Sequence, residues 1–239
     1  MEQIAQTLFK HWFIDFEFPN ADGKPYKSSN GAMFASELGD IPEGWKVGKL
    51  KDICEIINGF AFKSEDYREE GIKIIRTKNF DETGSIVLDN LTYISNSEVS
   101  KYKKFQLNKF DFLMVMVGAS IGKSVIVTSH VLPALQNQNM WNFRAIDTSF
   151  QIFLNQSLKL LILKHSGSST GSAREFFRKD YFYEIQITLP DNIIIYQFQK
   201  AGLALLAKID LNIRQIQTLT KTRDSLLSKL MSGQLRVKE

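Results

Sequence analysis

Residues 193–235 read IIIYQFQKAGLALLAKIDLNIRQIQTLTKTRDSLLSKLMSGQL, and the part from Gln197 to Met231 has no proline and a single glycine. Gly233 lies just beyond it and is of the residue type that commonly ends a helix. Thirty-five helical residues would be roughly 50 Å long at about 1.5 Å per residue. A small domain does not need a helix of that length for its own core. The stretch therefore predicts a rod that packs along another helix.

Two rows of side chains repeat along this rod at helical spacing. One row alternates steps of four and three, as in a coiled-coil seam. Its members are Ile209, Ile213, Ile216, Thr220, Arg223, Leu227 and Leu230, and the five apolar ones are the predicted packing contacts. The second row comprises Leu205, Asn212, Leu219 and Leu226. Polar members of such rows are expected to fix the register of two helices at some cost in stability.

Composition bounds the class of protein. The chain has 239 residues, 44% hydrophobic and 23% charged, which is ordinary for a globular domain with an extension. Cys54 is the only cysteine, which excludes an internal disulfide and favours a reducing compartment. No signal peptide is recognised at the start, and the longest apolar stretch, residues 112–122, is too short to span a bilayer. We expect a cytoplasmic protein without a membrane segment.

Charge is unevenly distributed along the chain. Residues 1–50 carry a net charge of −2, residues 51–196 carry +1 and residues 197–239 carry +5, which together give +4. The basic excess therefore lies on the rod, and the middle of the chain is almost neutral. If the middle binds nucleic acid, it does so through a local patch and with help from a partner.

The rest of the chain predicts a mixed α/β (α+β) domain. Residues 1–16 have helical spacing, with Ile4, Leu8 and Trp12 on one face and Phe9 and Phe13 beside them. This helix is expected to pack either on the core or against the rod. Residues 19–45 are rich in turn formers and are expected to be an irregular connection ending at a core residue, Trp45.

Residues 46–190 read as strands and two further helices. Five short Ile- and Val-rich runs predict strands, namely KDICEII, IKIIRT, SIVLDNLTYI, DFLMVMV and SVIVT. DFLMVMV is apolar throughout and is expected to be central in its sheet. Ser149 is expected to cap a helix over residues 150–165 that ends at Gly167. A short helix around residues 173–180 and a strand ending at Pro190 follow.

No arrangement of residues predicts catalysis or a metal. GASIGKS, residues 118–124, resembles a phosphate-binding loop but has three residues between its glycines instead of four, and a strand follows it instead of a helix. It is better explained as a tight turn between two strands with Lys123 projecting. The three histidines and one cysteine have no metal-ligand spacing, so we predict neither a metal site nor a catalytic residue.

Basic and amide side chains cluster in the predicted turns. Arg and Lys can pair with guanine, Asn and Gln with adenine, and Lys, Ser and Thr with phosphates. The candidate DNA-binding residues form a surface set of Lys63, Arg76, Lys78, Asn79, Lys103, Lys123, Asn137, Asn139, Thr170, Arg174 and Lys179. Any one of them could equally be an ordinary solvated residue. In a near-neutral domain, the set as a whole favours sequence reading over bulk charge binding.

Six stretches together resemble the specificity subunit of type I restriction-modification systems. They are TLFKHWFIDFEFP (7–19), IPEGWKVGKLKDICEIINGFAFKSEDY (41–67), NKFDFLMVMVGASIGK (108–123), NQN (137–139), TGSAREFF (170–177) and RDSLLSKLMSGQLRV (223–237). The resemblance implies two target recognition domains joined by two long antiparallel helices, with each domain reading half of a split DNA site. It also implies a non-catalytic subunit whose partners are double-stranded DNA, the modification (methyltransferase) subunits and the restriction subunit. S-adenosylmethionine and ATP are then expected on those partner subunits, and no cofactor on this chain.

This sequence departs from the family pattern because it has one recognition domain. The resemblance divides it into the end of the central conserved helix (1–18), a linker (19–40), a DNA target recognition domain (41–190) and the C-terminal conserved helix (191–239). The chain is either the second half of a full subunit or a half-length subunit that forms a homodimer through its long helices. The alternative function is a helical scaffold that binds proteins and not DNA, and an NTPase would rest on the imperfect glycine loop alone.

Overall fold

The computed structural model describes residues 2–166 and 178–235. Its α-helices are α1 (Glu2–Phe13), α2 (Gln151–Ser166), α3 (Lys179–Glu184) and α4 (Asn192–Met231). Its strands are β1 (Met33–Ser36), β2 (Gly39–Pro42), β3 (Lys46–Lys49), β4 (Cys54–Asn58), β5 (Ile72–Ile75), β6 (Thr92–Ile94), β7 (Phe112–Val115), β8 (Ser124–Ile126), β9 (Ala134–Gln136), β10 (Met140–Ala145) and β11 (Gln186–Leu189). The predicted α+β class with a long C-terminal helix is confirmed. Within the two described ranges, no helix combines the length and apolar character needed to cross a membrane.

Four small sheets make up the β structure of the described ranges. The main sheet is antiparallel, in the order β4-β10-β7-β8, and β7 is fully buried inside it, as its apolar sequence predicted. A second sheet has the order β6-β5-β9, in which β5 and β9 are parallel. The hairpin β1-β2 and the pair β3-β11 complete the set. The β3-β11 pair joins the start of the domain to the residues just before α4.

Both faces of the main sheet are buried. Successive side chains of a strand point to opposite faces of the sheet, so β7 contributes side chains to a different core on each side. Phe112 and Met114 of β7 belong to the core beneath the helices. Leu113 and Val115 belong to a second core that also contains Ile75 of β5. Helices therefore cover one face of the main sheet, and the β5 sheet covers the other. Trp45 lies in the first core, as expected.

Helix α4 has 40 residues and would be roughly 60 Å long. It begins at Asn192, five residues earlier than the unbroken stretch predicted, because Asp191 caps it by accepting a hydrogen bond from the Ile193 backbone NH at 2.6 Å. Its first half packs on α2, where Gly202 allows close approach. A Cβ at Gly202 would lie 2.5 Å from a methyl carbon of Ile152.

Helix α1 packs against both α2 and the start of α4. The Phe9, Trp12 and Phe13 rings lie 4.7–6.0 Å from the Phe198 ring. The fully buried row of α1 is Ala5, Phe9 and Phe13. Of the predicted face, Leu8 and Trp12 are partly buried against the same core, and Ile4 is 56% exposed. The two rows are only one residue apart on the helix. The row with two phenylalanines is buried because it places more apolar area in the core.

The packing row predicted on the rod divides at its middle. Ile209 and Ile213 are partly buried against this chain's own domain. Ile216, Leu227 and Leu230 are 63%, 52% and 43% exposed. Buried side chains of α4 end at Asp210. The domain itself therefore covers the first half of the rod, and the second half, residues 211–231, presents apolar side chains to solvent.

Three local expectations differ from the structure. The connection over residues 19–45 contains the β1-β2 hairpin, and β9 and β10 are strands within a stretch that gave no strand pattern. Asp147, not Ser149, caps the 3-10 turn that leads into α2, since its carboxylate accepts from the Ser149 backbone NH at 2.9 Å. Gly167, the expected end of α2, lies outside the described residues.

Candidate nucleic-acid interface

One end of the main sheet gathers four loops. β4 ends at Asn58, which is paired with Trp141 near the start of β10, and β7 ends at Val115, which is paired with Met140. The β7-β8 turn lies at the same end, since Met114 is paired with Ser124. β5 also ends here, because it runs parallel to β9. We call residues 59–63, 76–79, 116–123 and 137–139 the loop end.

The loop end brings together seven of the eleven predicted DNA-binding residues. They are Lys63, Arg76, Lys78, Asn79, Lys123, Asn137 and Asn139. Lys103 lies in the neighbouring 3-10 segment Asn96–Phe105, and Lys179 lies on α3 beside β4. Thr170 and Arg174 lie outside the described residues. Positions far apart in sequence thus come together at one end of the main sheet, which sequence spacing alone did not indicate.

Backbone contacts hold these loops against each other. The Phe60 NH donates to the Gln136 carbonyl at 3.1 Å, and the Gln138 NH donates to the Phe60 carbonyl at 2.8 Å. The Asn137 NH donates to the Ile75 carbonyl at 3.1 Å. Gly59 is required at this junction, because a Cβ there would lie 1.8 Å from the Asn137 carbonyl oxygen. The loops that carry the candidate residues are therefore fixed to one another.

An aromatic cluster supports the loop after β4. The Phe60 ring lies 5.0–5.1 Å from the rings of Phe62, Tyr102 and Phe105. The Arg76 guanidinium lies 6.0 Å from the centre of the Tyr67 ring, within cation–π range. This packing anchors Arg76 and orders the 3-10 segment that carries Lys103. The aromatic cluster therefore supports those polar loops that have no regular sheet beneath them.

Two of the predicted amides are structural. Asn79 is buried, its Oδ1 accepts from the Arg76 NH at 3.0 Å and its Nδ2 donates to the Asp89 carbonyl at 3.2 Å. Asn137 is buried and donates to the Phe60 carbonyl at 3.3 Å. Their expected position on the surface is therefore wrong. Both side chains satisfy loop backbone groups that burial would otherwise leave unpaired.

The amides exposed at this surface are Gln138 and Asn139. Asn139 adopts a left-handed backbone conformation, with φ of 71°, and its carbonyl accepts from the Met116 NH at 2.9 Å. Gln138 was part of the amide run in the sequence but was not selected as a candidate. Its neighbour Asn137 is turned inward by the bridge to Phe60, and Gln138 is exposed instead.

The β7-β8 connection joins two strands, as predicted, and no helix follows it, but it is a loop over residues 116–123 and longer than the tight turn expected. Gly118 and Gly122 have φ of 84° and 85°, values that favour glycine. The Gly122 NH donates to the Val115 carbonyl at 2.9 Å, which closes the turn. Val117 and Ile121 are 53% and 43% exposed, so an apolar tip stands among polar side chains. The sequence analysis did not identify this tip.

Carboxylates already pair with two of the lysines at this surface. Lys63 lies 3.4 Å from Glu65, and Lys123 lies 2.7 Å from Glu82. Such exposed pairs contribute about 0–1 kcal/mol each, so a phosphate can replace the carboxylate at little cost. Lys179 is different, because its Nζ donates to the Ile56 carbonyl at 2.5 Å and burial lowers its pKa. Lys179 therefore also has a structural contact.

The described ranges, 2–166 and 178–235, contain no group of three or more metal-ligating side chains placed to share an ion. Cys54 is buried, and burial raises the pKa of its thiol. The buried acid Asp111 is engaged by Arg144 at 2.5 Å and by Asn142 at 2.7 Å, so it serves the core of the domain. What the loop end offers is hydrogen-bond donors and acceptors, cations and a small apolar tip.

Comparison with protein families identifies the chain. A family model described as the type I restriction modification DNA specificity domain matches residues 42–222. The chain belongs to this family. The resemblance stated from the six sequence stretches is thereby confirmed, and the specificity domain begins where Pro42 closes the β1-β2 hairpin and extends into α4.

Curated relatives of this specificity domain are about twice its length. The MjaIX specificity subunit of Methanocaldococcus jannaschii is 28% identical, over 100% of this chain and 54% of that protein. The HindI specificity subunit of Haemophilus influenzae is 25% identical, over 98% of this chain and 62% of that protein. These proteins are named as specificity subunits of restriction enzymes, which agrees with the expectation of a chain that is not itself an enzyme.

Solved structures show the same fold. The HsdS subunit of Thermoanaerobacter tengcongensis matches with a TM-score of 0.53 and 17% identity, over 98% of this chain and 51% of that chain. The S subunit of a type I system from M. genitalium matches with a TM-score of 0.53 and 18% identity, over 79% and 46% of the two chains. The specificity domain therefore spans about half the length of the proteins it matches.

Proposed function

We propose that this chain is the non-catalytic DNA-reading part of a type I restriction-modification enzyme and that its loop end reads one half of a bipartite site. The observation that supports this most is the convergence of four loops, with their cations and exposed amides, on one rigid end of the main sheet. Sequence reading requires such fixed donors and acceptors, because a misplaced hydrogen-bonding group loses discrimination between bases.

The exposed and partly exposed groups of the loop end divide into two kinds of contact. Gln138, Asn139 and Arg76 can make paired hydrogen bonds with base edges in the major groove, where the donor and acceptor pattern is unique for each base pair. Lys63, Lys78 and Lys123 suit phosphates, which position the protein without reading sequence. The apolar tip of the β7-β8 connection, formed by the exposed Val117 and Ile121, can contact thymine methyl groups in the major groove.

Binding by the chain alone is expected to be weak. Residues 51–196 carry a net charge of only +1, and Lys63 and Lys123 are already paired with carboxylates. Because affinity for duplex DNA grows with the number of phosphates neutralised, tight binding needs further cations. Modification subunits that close around the duplex would supply these cations. S-adenosylmethionine and ATP would then bind to the partner subunits, which include the restriction subunit, and not to this chain.

The exposed half of α4 suits a second long helix. Ile216, Leu219, Leu227 and Leu230 are all more than 40% exposed over residues 211–231. A matching antiparallel helix, from a second copy or from another half of a longer chain, would cover them. Pairing with a second copy would place two identical readers on a palindromic bipartite site. Analytical ultracentrifugation of the chain and of Ile216→Lys/Leu227→Lys tests self-pairing, and a wild-type monomer at micromolar concentration would contradict it.

Fluorescence anisotropy with labelled duplexes tests DNA reading. The chain with its modification subunit should bind a duplex carrying its methylation site tightly, and the chain alone weakly. Gln138→Ala/Asn139→Ala should lose about 1–3 kcal/mol of discrimination per base contact. The matched control is Gln3→Ala/Gln6→Ala, which removes two exposed amides from α1. Tight sequence-specific binding by the chain alone would contradict the division of labour, and failure of any duplex to bind would leave a protein-binding scaffold.

A further inference from the structure

A carboxylate joins the middle of α4 to the recognition domain. Asp210 is 1% exposed, and its Oδ1 and Oδ2 accept hydrogen bonds from the Ser129 NH at 2.8 Å and the Ser129 hydroxyl at 2.5 Å. Arg214 lies 3.3 Å and Lys109 3.5 Å from Oδ2. Ser129 follows β8, so these contacts attach the helix directly to the main sheet whose other end carries the loops.

Aspartate would be an unusual residue at position 210 if its only role were to fill buried space. Aspartate is a poor residue inside a helix, and burying a carboxylate is costly unless it is fully partnered. Burial acts to raise the pKa of Asp210, but the Ser129 hydrogen bonds and the charges of Lys109 and Arg214 lower it overall. The carboxylate is therefore held in its charged form by directional contacts. An apolar side chain could fill the same space without fixing a direction.

The contacts closer to the start of α4 fix its beginning. The Gln199 side chain accepts from the Ile152 NH at 3.2 Å and donates to the Thr148 carbonyl at 3.1 Å. Gly202 packs against Ile152. Asp210 is the last fully buried residue along the helix, and Ile213, which follows it, is partly buried. Among the hydrogen bonds of the described residues, those of Asp210 with Ser129 are the last that attach α4 to the domain.

The length beyond Asp210 makes the angle of the helix critical. Twenty-one residues from Asp210 to Met231 give a lever of roughly 32 Å at about 1.5 Å per residue. One base pair occupies about 3.4 Å along the duplex. A tilt of about 6° at Asp210 would therefore move the far end of the helix by about one base-pair step.

We propose that Asp210 is a positioning residue that fixes the angle at which α4 leaves the recognition domain and so sets the spacing between the two half-sites. The part about spacing rests on the proposed function, in which α4 pairs with a second long helix. The part about the angle rests on this chain alone. The two parts are tested separately.

The angle is measured by pulsed dipolar electron paramagnetic resonance between spin labels at Glu70→Cys in the domain and Thr222→Cys on the exposed half of α4. Cys54→Ser provides the background, and dilution with unlabelled chain suppresses distances between copies. Thr222 lies twelve residues beyond Asp210, so its lever is roughly 18 Å at about 1.5 Å per residue. Asp210→Ala should broaden the distance distribution by about 2 Å or more, the displacement that this lever gives for a tilt of about 6°. Ser129→Ala, the milder change, should broaden it less. Asp22→Asn is the control, since it removes one negative charge from an exposed loop.

An unchanged distribution in folded Asp210→Ala would overturn the positioning role. Asp210→Asn is isosteric and keeps the proposal testable if the alanine variant does not fold, which its thermal transition would show. Asn retains one acceptor but removes the charge that attracts Lys109 and Arg214, so it should give intermediate broadening.

Spacing is measured by methylation of duplexes whose half-sites are separated by the natural spacer or by one base pair more or less. The assembled enzyme with Asp210→Asn should lose about tenfold of its discrimination between these duplexes, as expected for one weakened hydrogen bond to a charged group. Half-site base preference should stay the same. Unchanged spacer discrimination together with a broadened angle would refute the spacing role, whereas failure of the wild-type enzyme to methylate any duplex would refute the proposed function instead.

Discussion

Removal of three lysines from the loop end should flatten the salt dependence of DNA binding by a predictable amount. Lys63, Lys78 and Lys123 lie at the loop end, and none of them has a structural hydrogen bond to the backbone among the contacts of the described residues. Each phosphate contact contributes about 0.9 to the slope of log K against log salt, so three contacts contribute about 2.7. When salt rises from 50 to 200 mM, the affinity of the wild type should then fall by a factor about 40 times larger than the factor for the triple alanine variant.

The ion pairs Lys63–Glu65 and Lys123–Glu82 set the lower bound of the expected change in salt slope. If Glu65 and Glu82 keep Lys63 and Lys123 when DNA binds, only Lys78 releases a counterion. The slope then changes by about 0.9, and the difference over the same salt range is about 3.5-fold. A measured change between 0.9 and 2.7 therefore also reports how many of the pairs open.

The assay is fluorescence anisotropy of a labelled duplex of random sequence, titrated with the chain and its modification subunit at four salt concentrations. A random duplex suffices because phosphate contacts are independent of sequence. The control variant is Lys24→Ala/Lys27→Ala/Lys46→Ala, which removes the same charge from exposed positions away from the loop end. Equal slopes for the two triple variants would refute the loop end as the phosphate-binding surface.

Three further predictions concern the same surface and the core beneath it. Glu65→Gln/Glu82→Gln frees both paired lysines and should tighten binding of a random duplex and steepen the salt slope by up to about 1.8, measured in the same anisotropy titration; a shallower slope would count against these pairs. Arg144→Ala leaves the buried carboxylate of Asp111 without its cation and should lower the free energy of unfolding by about 3 kcal/mol in urea denaturation, so a loss below about 1 kcal/mol would be inconsistent with this network. Gly59→Ala places a methyl group 1.8 Å from a backbone carbonyl oxygen and should cost about 1–3 kcal/mol in the same measurement and also weaken DNA binding, and unchanged binding would mean that the loops can separate freely.

The parts of the fold that the sequence predicted are those whose local pattern agrees with their tertiary environment. β7 was recognised because a strand buried on both faces has to be apolar throughout. α4 was recognised because it has no proline and a single glycine over its whole length. The β7-β8 turn was recognised from its glycines, whose positive φ values the structure confirms.

β9 and β10 were missed because they contain buried amides. Gln136 donates to the carbonyls of Met140 and Ile57, at 2.9 and 3.2 Å, and Asn142 donates to Asp111 at 2.7 Å. Each amide has a partner only once the sheet has formed, so a single sequence gives no sign that it belongs in a core. Such polar positions interrupt the alternation on which strand prediction depends.

The candidate site was only partly predictable for the same reason. Residue type correctly directed attention to the loops, and the sheet register then brought seven of the candidates together. Which amide faces solvent depends on hydrogen bonds to distant backbone groups, and these reverse the roles of Asn137 and Gln138. The exposed half of α4 was predictable as a packing surface, but where the domain's own contacts end, at Asp210, was not.

Mapping of methylated bases in the genome of cells that carry this chain and its modification subunit tests the central claim most directly. The account predicts a bipartite methylated motif that depends on the chain, and a changed half-site, with the same spacer, for Gln138→Ala/Asn139→Ala. A palindromic motif would support pairing of two copies, and unlike halves would indicate a second recognition domain. Methylation that is the same with and without the chain, or a half-site that the loop-end variant leaves unchanged, would contradict it.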